Sequence, residues 1–320
     1  MELILHIGQQ KTGSTALQTF LNEKYAILRG RKILYPQSLG NEHNKQHLIM
    51  HSFKTQSLNE ENGIKADFLA EISKTTPKKV IISDENMFVG KPENLNQLKV
   101  FVNDIFHKVK IICYLRVQHD QMPSNYQQGL KGKLSKDLRS WLDTHIYKSV
   151  YYKYHIVLNR WKNTFPEAKI LVKTVGNLLH DDIVQDFVEA VIPEVKNEII
   201  FESKTISNRS IDQPSGHLLY FLNKLIDKSK HPSPFQSIKE SVISDSSNYT
   251  TKTPFAFSNE EKLEIWNQFK DRNTLIASDF KLSQADINYL TSPPEMKEDD
   301  QIDNLERVYL KFLEYLEKRK

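Results

Sequence analysis

The sequence predicts an α/β protein, a parallel sheet flanked by helices and followed by a mainly helical C-terminal part. Two patterns carry that expectation. Short β-branched runs alternate with helical patterns over the first two hundred residues, which is how a parallel sheet with crossover helices reads. After about residue 212 the strand signal fades and helical periodicity takes over. A chain of 320 residues with 39% hydrophobic and 26% charged side chains has ample material for a core. The same composition excludes collagen-like, low-complexity and disordered classes.

Taken in order, Leu3 to Ile7 is the first strand, and a helix follows from about Ser14 to Glu23. Lys79 to Ser83 is a second strand and Lys110 to Leu115 a third. The helical stretch Tyr154 to Phe165 precedes a fourth strand, Lys169 to Val172. A helix at Asp182 to Val191 presents Phe187, Val188 and Val191 on one side. Helical patterns at Gly216 to Ile226, Asn259 to Phe269 and Asp303 to Lys318 make up the rest. In the last, Leu305, Tyr309, Phe312, Leu313 and Leu316 form a stripe that suits docking on the protein's own core. The segment from Ser229 to Pro254 is rich in Ser, Pro and Asn and reads as a surface loop, a candidate lid. The division expected is a ligand-binding core over 1–212 and a helical extension over 213–320 packed on it, together one structural domain.

Several classes drop out. The longest apolar runs, Ile111 to Leu115 and Leu218 to Leu222, fall far short of the roughly 20 residues of a membrane helix. The N-terminus enters a strand at once and lacks the basic and apolar regions of a signal peptide, so a cytosolic location is expected. The single cysteine, Cys113, lies in a strand-like run and reads as a buried side chain. A net charge of +4 and a pI near 8.8 suit an anionic small ligand but fall short of a nucleic-acid-binding balance. Eleven histidines are scattered without zinc-ligand spacing. His43, His47 and His51 would align on a helix, yet Glu42 is the one nearby carboxylate, and no metal site is expected.

The strongest local signal is Gly8-Gln9-Gln10-Lys11-Thr12-Gly13-Ser14-Thr15, between an apolar strand and a helix. A strand feeding a helix through a tight glycine turn directs several backbone N–H groups at one spot, at the positive end of the helix dipole. Lys11 adds a charge, and Ser14 and Thr15 add hydroxyl donors. The alternative is an ordinary Ser or Thr helix cap beside an incidental lysine. The architecture is P-loop-like, but the lysine precedes the glycine, whereas in the ATP-binding Walker loop it follows the second glycine.

These residues resemble the sulfotransferases that use 3′-phosphoadenosine 5′-phosphosulfate (PAPS), in particular bacterial enzymes acting on surface glycans. The resemblance implies that Lys11, Thr12, Gly13, Ser14 and Thr15 hold the 5′-phosphate and sulfuryl group. The family also carries an Arg at a later strand end and a Ser eight residues on, which bind the 3′-phosphate. Here Arg116 ends the run Ile111 to Leu115, and Ser124 follows at that spacing. A guanidinium offers phosphate a bidentate fork, and the hydroxyl adds a donor. Trp161 to Phe187 and Asn273 to Ala277 extend the likeness, which is good to about residue 210 and loose beyond. The late Arg-Lys-Gly signature of the steroid and phenol enzymes is missing, and Asn208-Arg209-Ser210 stands in the equivalent place.

The chemistry so implied transfers a sulfuryl group in line to a hydroxyl or amine, releases adenosine 3′,5′-bisphosphate (PAP), and requires no metal. It is mainly positioning and charge stabilisation, plus a base for the acceptor proton. Glu85, just past the second strand, is the first candidate for the base, because ligands meet open α/β sheets at the carboxyl ends of strands. His43 and His47 are the second. The expected acceptor is a small molecule or a glycan, with no nucleic-acid partner. Trp141, Tyr147, Tyr151 and Tyr152 suit either sugar stacking or core packing. Two other readings stay open, a small-molecule kinase using Asp84 for Mg2+ and a non-catalytic nucleotide- or glycan-binding protein.

Overall fold

The computed structural model describes residues 1–40, 46–55, 58–199, 201, 211–228, 233–246 and 255–296. In chain order the elements are β1 (Glu2–His6), α1 (Ser14–Glu23), α2 (Tyr25–Gly30), β2 (Ile33–Leu34), α3 (Leu48–Thr55), α4 (Leu58–Thr75), β3 (Lys79–Ser83), α5 (Pro92–Asn103) and β4 (Lys108–Leu115). They continue with α6 (Gln118–Lys131), α7 (Leu138–Asp143), α8 (Tyr154–Thr164), β5 (Lys169–Thr174), α9 (Ile183–Val191), α10 (Gln213–Lys228), α11 (Ser233–Ser246), α12 (Asn259–Asp279) and α13 (Gln284–Thr291). The expected α/β class is what the chain adopts. Its five strands form one sheet in the order β2-β3-β1-β4-β5, with every pairing parallel.

The chain divides into two compact units interleaved along the sequence. The first comprises 1–117, 150–202 and 269–292, and the second 118–149, 203–268 and 293–320.

In the first unit, side chains alternate across the sheet as the pleat requires. Leu3, Leu5, Val80, Ile82, Ile111 and Cys113 face one apolar layer, which α5 and α8 complete with Leu95, Leu98, Val157 and Trp161. Ile4, Ile81, Ile112 and Tyr114 face the other, completed by Leu17 and Leu21 of α1 and Phe187 and Val188 of α9. Two covered faces explain why the strands read as nearly continuous apolar runs. Cys113 is fully buried, which pushes its thiol well above its ordinary pKa, in keeping with a core role.

The second unit has an aromatic centre. Tyr126 of α6 lies 5.3 Å from Trp141 of α7 and 5.8 Å from Phe255, between ring centroids. Arg139 of α7 forms ion pairs with Asp143 and with Glu264 of α12. Over 233–246 the expected loop is instead the helix α11, and the remainder of 229–254 lies outside the described residues. Phe235, Ile238 and Val242 give that Ser- and Pro-rich stretch a helical face, on which Ile238 and Val242 are buried. Pro234, in the first turn, costs no hydrogen bond there. The expected helix over 303–318 lies outside the described residues.

Candidate functional site

β1 is the strand at which chain order reverses, since the chain moves to β3 on one side and then to β4 on the other. Ligands of open parallel sheets sit beyond the carboxyl ends of the strands at that reversal. The loop from Ile7 to Gly13 leaves β1 there and enters α1. Gly13, the residue before α1, has φ 94 and is left-handed, and a Cβ on it would lie 3.0 Å from Ile183 Cγ2. The positive φ favours glycine, and the nearby Ile183 methyl leaves little room for a side chain. Lys11 is also left-handed, at φ 64. Such strain in a non-glycine residue persists only where the surroundings over-determine it, and it concentrates at ligand sites.

The loop is fixed from within. The Thr12 hydroxyl donates to the Gln9 carbonyl at 2.6 Å, so Thr12 shapes the turn. No side chain caps α1. The Ser14 hydroxyl instead donates to Glu85 Oε1 at 2.7 Å. The two site residues named from sequences 71 positions apart are thus in direct contact. Glu85 follows Asp84, whose buried Oδ1 accepts from the Asn86 backbone and side-chain amides at 2.9 and 3.0 Å. That capping role holds Asp84 in the turn that presents Glu85.

One side chain ties the loop to the end of β4. Gln9, fully buried, donates from Nε2 to the Tyr154 hydroxyl at 2.7 Å and accepts at Oε1 from the Arg116 backbone N–H at 2.8 Å. The Tyr154 hydroxyl in turn donates to the Arg116 carbonyl at 2.7 Å. This closed ring fixes the backbone of Arg116 relative to the loop bearing Lys11. Tyr151 adds an acceptor for the Gln10 N–H at 3.1 Å.

The remaining expected residues fare unequally. Thr15 is exposed on the first turn of α1, and Lys11 and Arg116 are partly buried. Ser124 lies on α6, in the second unit. His47 immediately precedes α3, and its carbonyl accepts the first bond of that helix from the His51 N–H at 2.9 Å. His43, Asn208, Arg209 and Ser210 lie outside the described residues. Among the described residues no cluster of His, Cys, Asp or Glu could hold a metal. Trp141 and Tyr152 are buried in cores, Tyr151 serves the loop, and Tyr147 is exposed.

Sequence reasoning missed Gln9 and Tyr154 as positioning groups. It also missed a buried cluster beneath the loop, in which His6 Nδ1 lies 2.7 Å from Ser83 Oγ and Gln18 Nε2 donates to that oxygen at 3.2 Å. Strand alternation places His6 opposite Leu5, on the α1 face, which was the available signal.

No family model matches the chain, and no solved structure matches it. The chain is similar to an uncharacterised protein of Archaeoglobus fulgidus, with 24% identity over 238 residues. The aligned stretch covers 70% of this chain and 63% of that protein, so the chain spans under two thirds of the relative it matches. No described helix is long and apolar enough to cross a membrane.

Proposed function

We propose that this protein is a sulfotransferase that uses PAPS as sulfuryl donor and a hydroxyl or amine of a small molecule or cell-surface glycan as acceptor, working in the cytosol. The observation that carries the reading is the Gln9 ring, which joins the Lys11–Thr15 loop to the backbone of Arg116. A nucleotide phosphorylated at both 3′ and 5′ positions needs two such groups at a fixed spacing. The residues present fit that demand, with an uncapped helix start, a hydroxyl and a lysine at one point and a guanidinium at the adjacent strand end.

The residues divide the work. Lys11 and the loop N–H groups offset charge on the leaving phosphate, and Thr15 orients the sulfuryl oxygens together with Ser14, whose hydroxyl hydrogen turns from Glu85 to the ligand. Glu85 takes the acceptor proton while the acceptor oxygen bonds to sulfur and the bond from sulfur to the phosphate oxygen breaks. PAP leaves with its electron pair. Contact with Ser14 supports Glu85 in this role, since it puts the carboxylate beside a hydroxyl that would touch the sulfuryl group.

The test is calorimetric binding of PAP without Mg2+, followed by a mass-spectrometric screen for sulfated glycans and phenols. Tight Mg2+-free binding and a product 80 mass units heavier are expected, the added mass being that of one sulfuryl group. Binding that requires Mg2+ and a triphosphate would replace the reading with a kinase. For any acceptor found, Glu85→Gln should abolish most turnover with little change in PAP affinity, because the amide keeps the shape and loses the basicity.

A further inference from the structure

His6 ends β1 with its ring between Tyr114 and Phe187, edge-on to both at 6.0 Å. It is completely buried, and burial lowers its pKa to about 3, so the ring is neutral and carries one N–H. The hydrogen-bond network decides which nitrogen bears it. Ser83 Oγ accepts from Gln18 Nε2, and among the described residues His6 Nδ1 is the acceptor available to the Ser83 hydroxyl hydrogen. Ser83 therefore donates to Nδ1, and the ring hydrogen sits on Nε2. The opposite tautomer would strand the serine hydrogen as well.

That Nε2 has no partner among the described residues. Leaving a buried donor unmade costs as much as a good hydrogen bond returns, so such a group calls for an explanation. The nitrogen faces the loop. A Cβ on Gly8 would lie 3.0 Å from Nε2, 2.7 Å from Cε1 and 3.4 Å from Ser14 Cβ. Gly8 is glycine because a side chain there would run into the imidazole, with Ser14 at the head of α1 also close by.

We propose that His6 is a binding residue of the anion site, its Nε2–H donating to an oxygen of the anion held by the loop between β1 and α1. This inference rests on the anion-binding reading given above and extends it. The ligand class is a tetrahedral oxyanion, sulfuryl or phosphoryl. His6 supplies it with a neutral donor from the sheet side, in addition to the charge of Lys11. The Ser83 bond orients the ring, and Gln18 ties that serine to α1, so one cluster aligns β1, β3 and the helix that carries Ser14.

Two substitutions separate the ring's two nitrogens. In His6→Gln the amide nitrogen falls close to the place of Nε2, whereas in His6→Asn a polar atom falls close to Nδ1 and the Nε2 donor is lost. Calorimetry with PAP should show His6→Asn weaker by about 10-fold or more, as befits a hydrogen bond to a charged group. His6→Gln should stay within a few-fold of the parent. The reverse order, or equal affinity in all three, overturns the inference.

The unaltered protein gives a second measurement that needs no variant. The 15N resonance of His6 Nε2 should shift as PAP saturates the site. If the Ser14 amide moves while Nε2 does not, the nitrogen bonds a resident water instead, for instance one shared with Gln18 Oε1, and the inference fails alone. If neither the Ser14 amide nor the heat of mixing responds to PAP, the anion site itself fails and takes the inference with it.

Discussion

The two ends of the five-stranded sheet both carry basic side chains, yet they use polar chemistry in opposite ways. At the amino ends of the strands, lysines on long stems serve the fold. Lys110 donates to the Ala190 carbonyl at 2.7 Å, and Lys79 donates to the Val191 carbonyl at 3.4 Å and to Glu194 at 2.6 Å. These cations cap the last turn of α9, where the helix dipole is negative. At the carboxyl ends, polar groups are taken inside the protein. Gln9, Thr12, Ser14, Ser83 and His6 are all buried. The first arrangement is what stability alone would select. The second leaves the buried His6 Nε2 without a partner among the described residues, a cost that stability alone does not explain.

The sharpest way to break that contrast is Lys11→Ala. If the carboxyl end is the working end, this change should cut sulfuryl transfer by about 100-fold or more and leave thermal unfolding unchanged, because a partly buried loop lysine contributes charge at the ligand and little to the core. A soluble, cooperatively melting variant with near-parent activity would show that the loop is ordinary backbone and that the two ends differ only in degree.

Much of the carboxyl end could be read from the sequence, and the unread part has a common cause. Lys11, Gly13 and Ser14 stand together, so a local segment declared them. Glu85 could be picked out by its position just past a strand end, and the fold brings it into contact with Ser14. Gln9 carried no such signal, because its partners lie 145 and 107 residues away and a second glutamine beside it looks identical. His6 could be assigned a face by alternation, but the state of each ring nitrogen depends on Ser83 and Gln18, which only the fold brings close. The strands were legible to within two residues because both faces of the sheet are covered. β2, at two residues, is too short to leave a pattern. α11 was hidden by composition, its apolar residues diluted among serines.

A second prediction sharpens the comparison through pH. Burial lowers the His6 pKa from 6.5 to about 3, whereas the unfolded chain keeps the ordinary value. Between those values the unfolded state binds a proton that the folded state does not. Stability is therefore fully present above pH 6.5 and is lost as pH falls, by about 1.4 kcal/mol for each unit below it. His119, His145, His155 and His217 are lowered by burial too and act with the same sign, so the diagnostic is a difference. Denaturant unfolding at pH 7 and pH 5 should show a shallower acid loss in His6→Gln than in the parent, by about 2 kcal/mol over that interval. Equal losses would mean that the ring is protonated in the folded state and is not the neutral donor placed beneath the loop.

The smallest expected effect comes from the amino end, and it completes the contrast because its null result matters as much as its size. Lys79→Met removes one ion pair and a long bond to the end of α9 while keeping the apolar stem against the protein. The Glu194 side chain is 37% exposed and that of Lys79 24%, so water and salt screen the pair. The expected loss is about 0.5–1 kcal/mol in denaturant unfolding, shrinking in high salt, with PAP affinity and turnover unchanged. The lysine's contacts account for its presence without any ligand, so nothing at the carboxyl end should register its removal. If Lys79→Met weakened PAP binding as Lys11→Ala is expected to, the charge of the whole sheet would be steering the ligand. The loop would then owe its affinity to that general field and not to the geometry set by Gln9, Gly13 and His6.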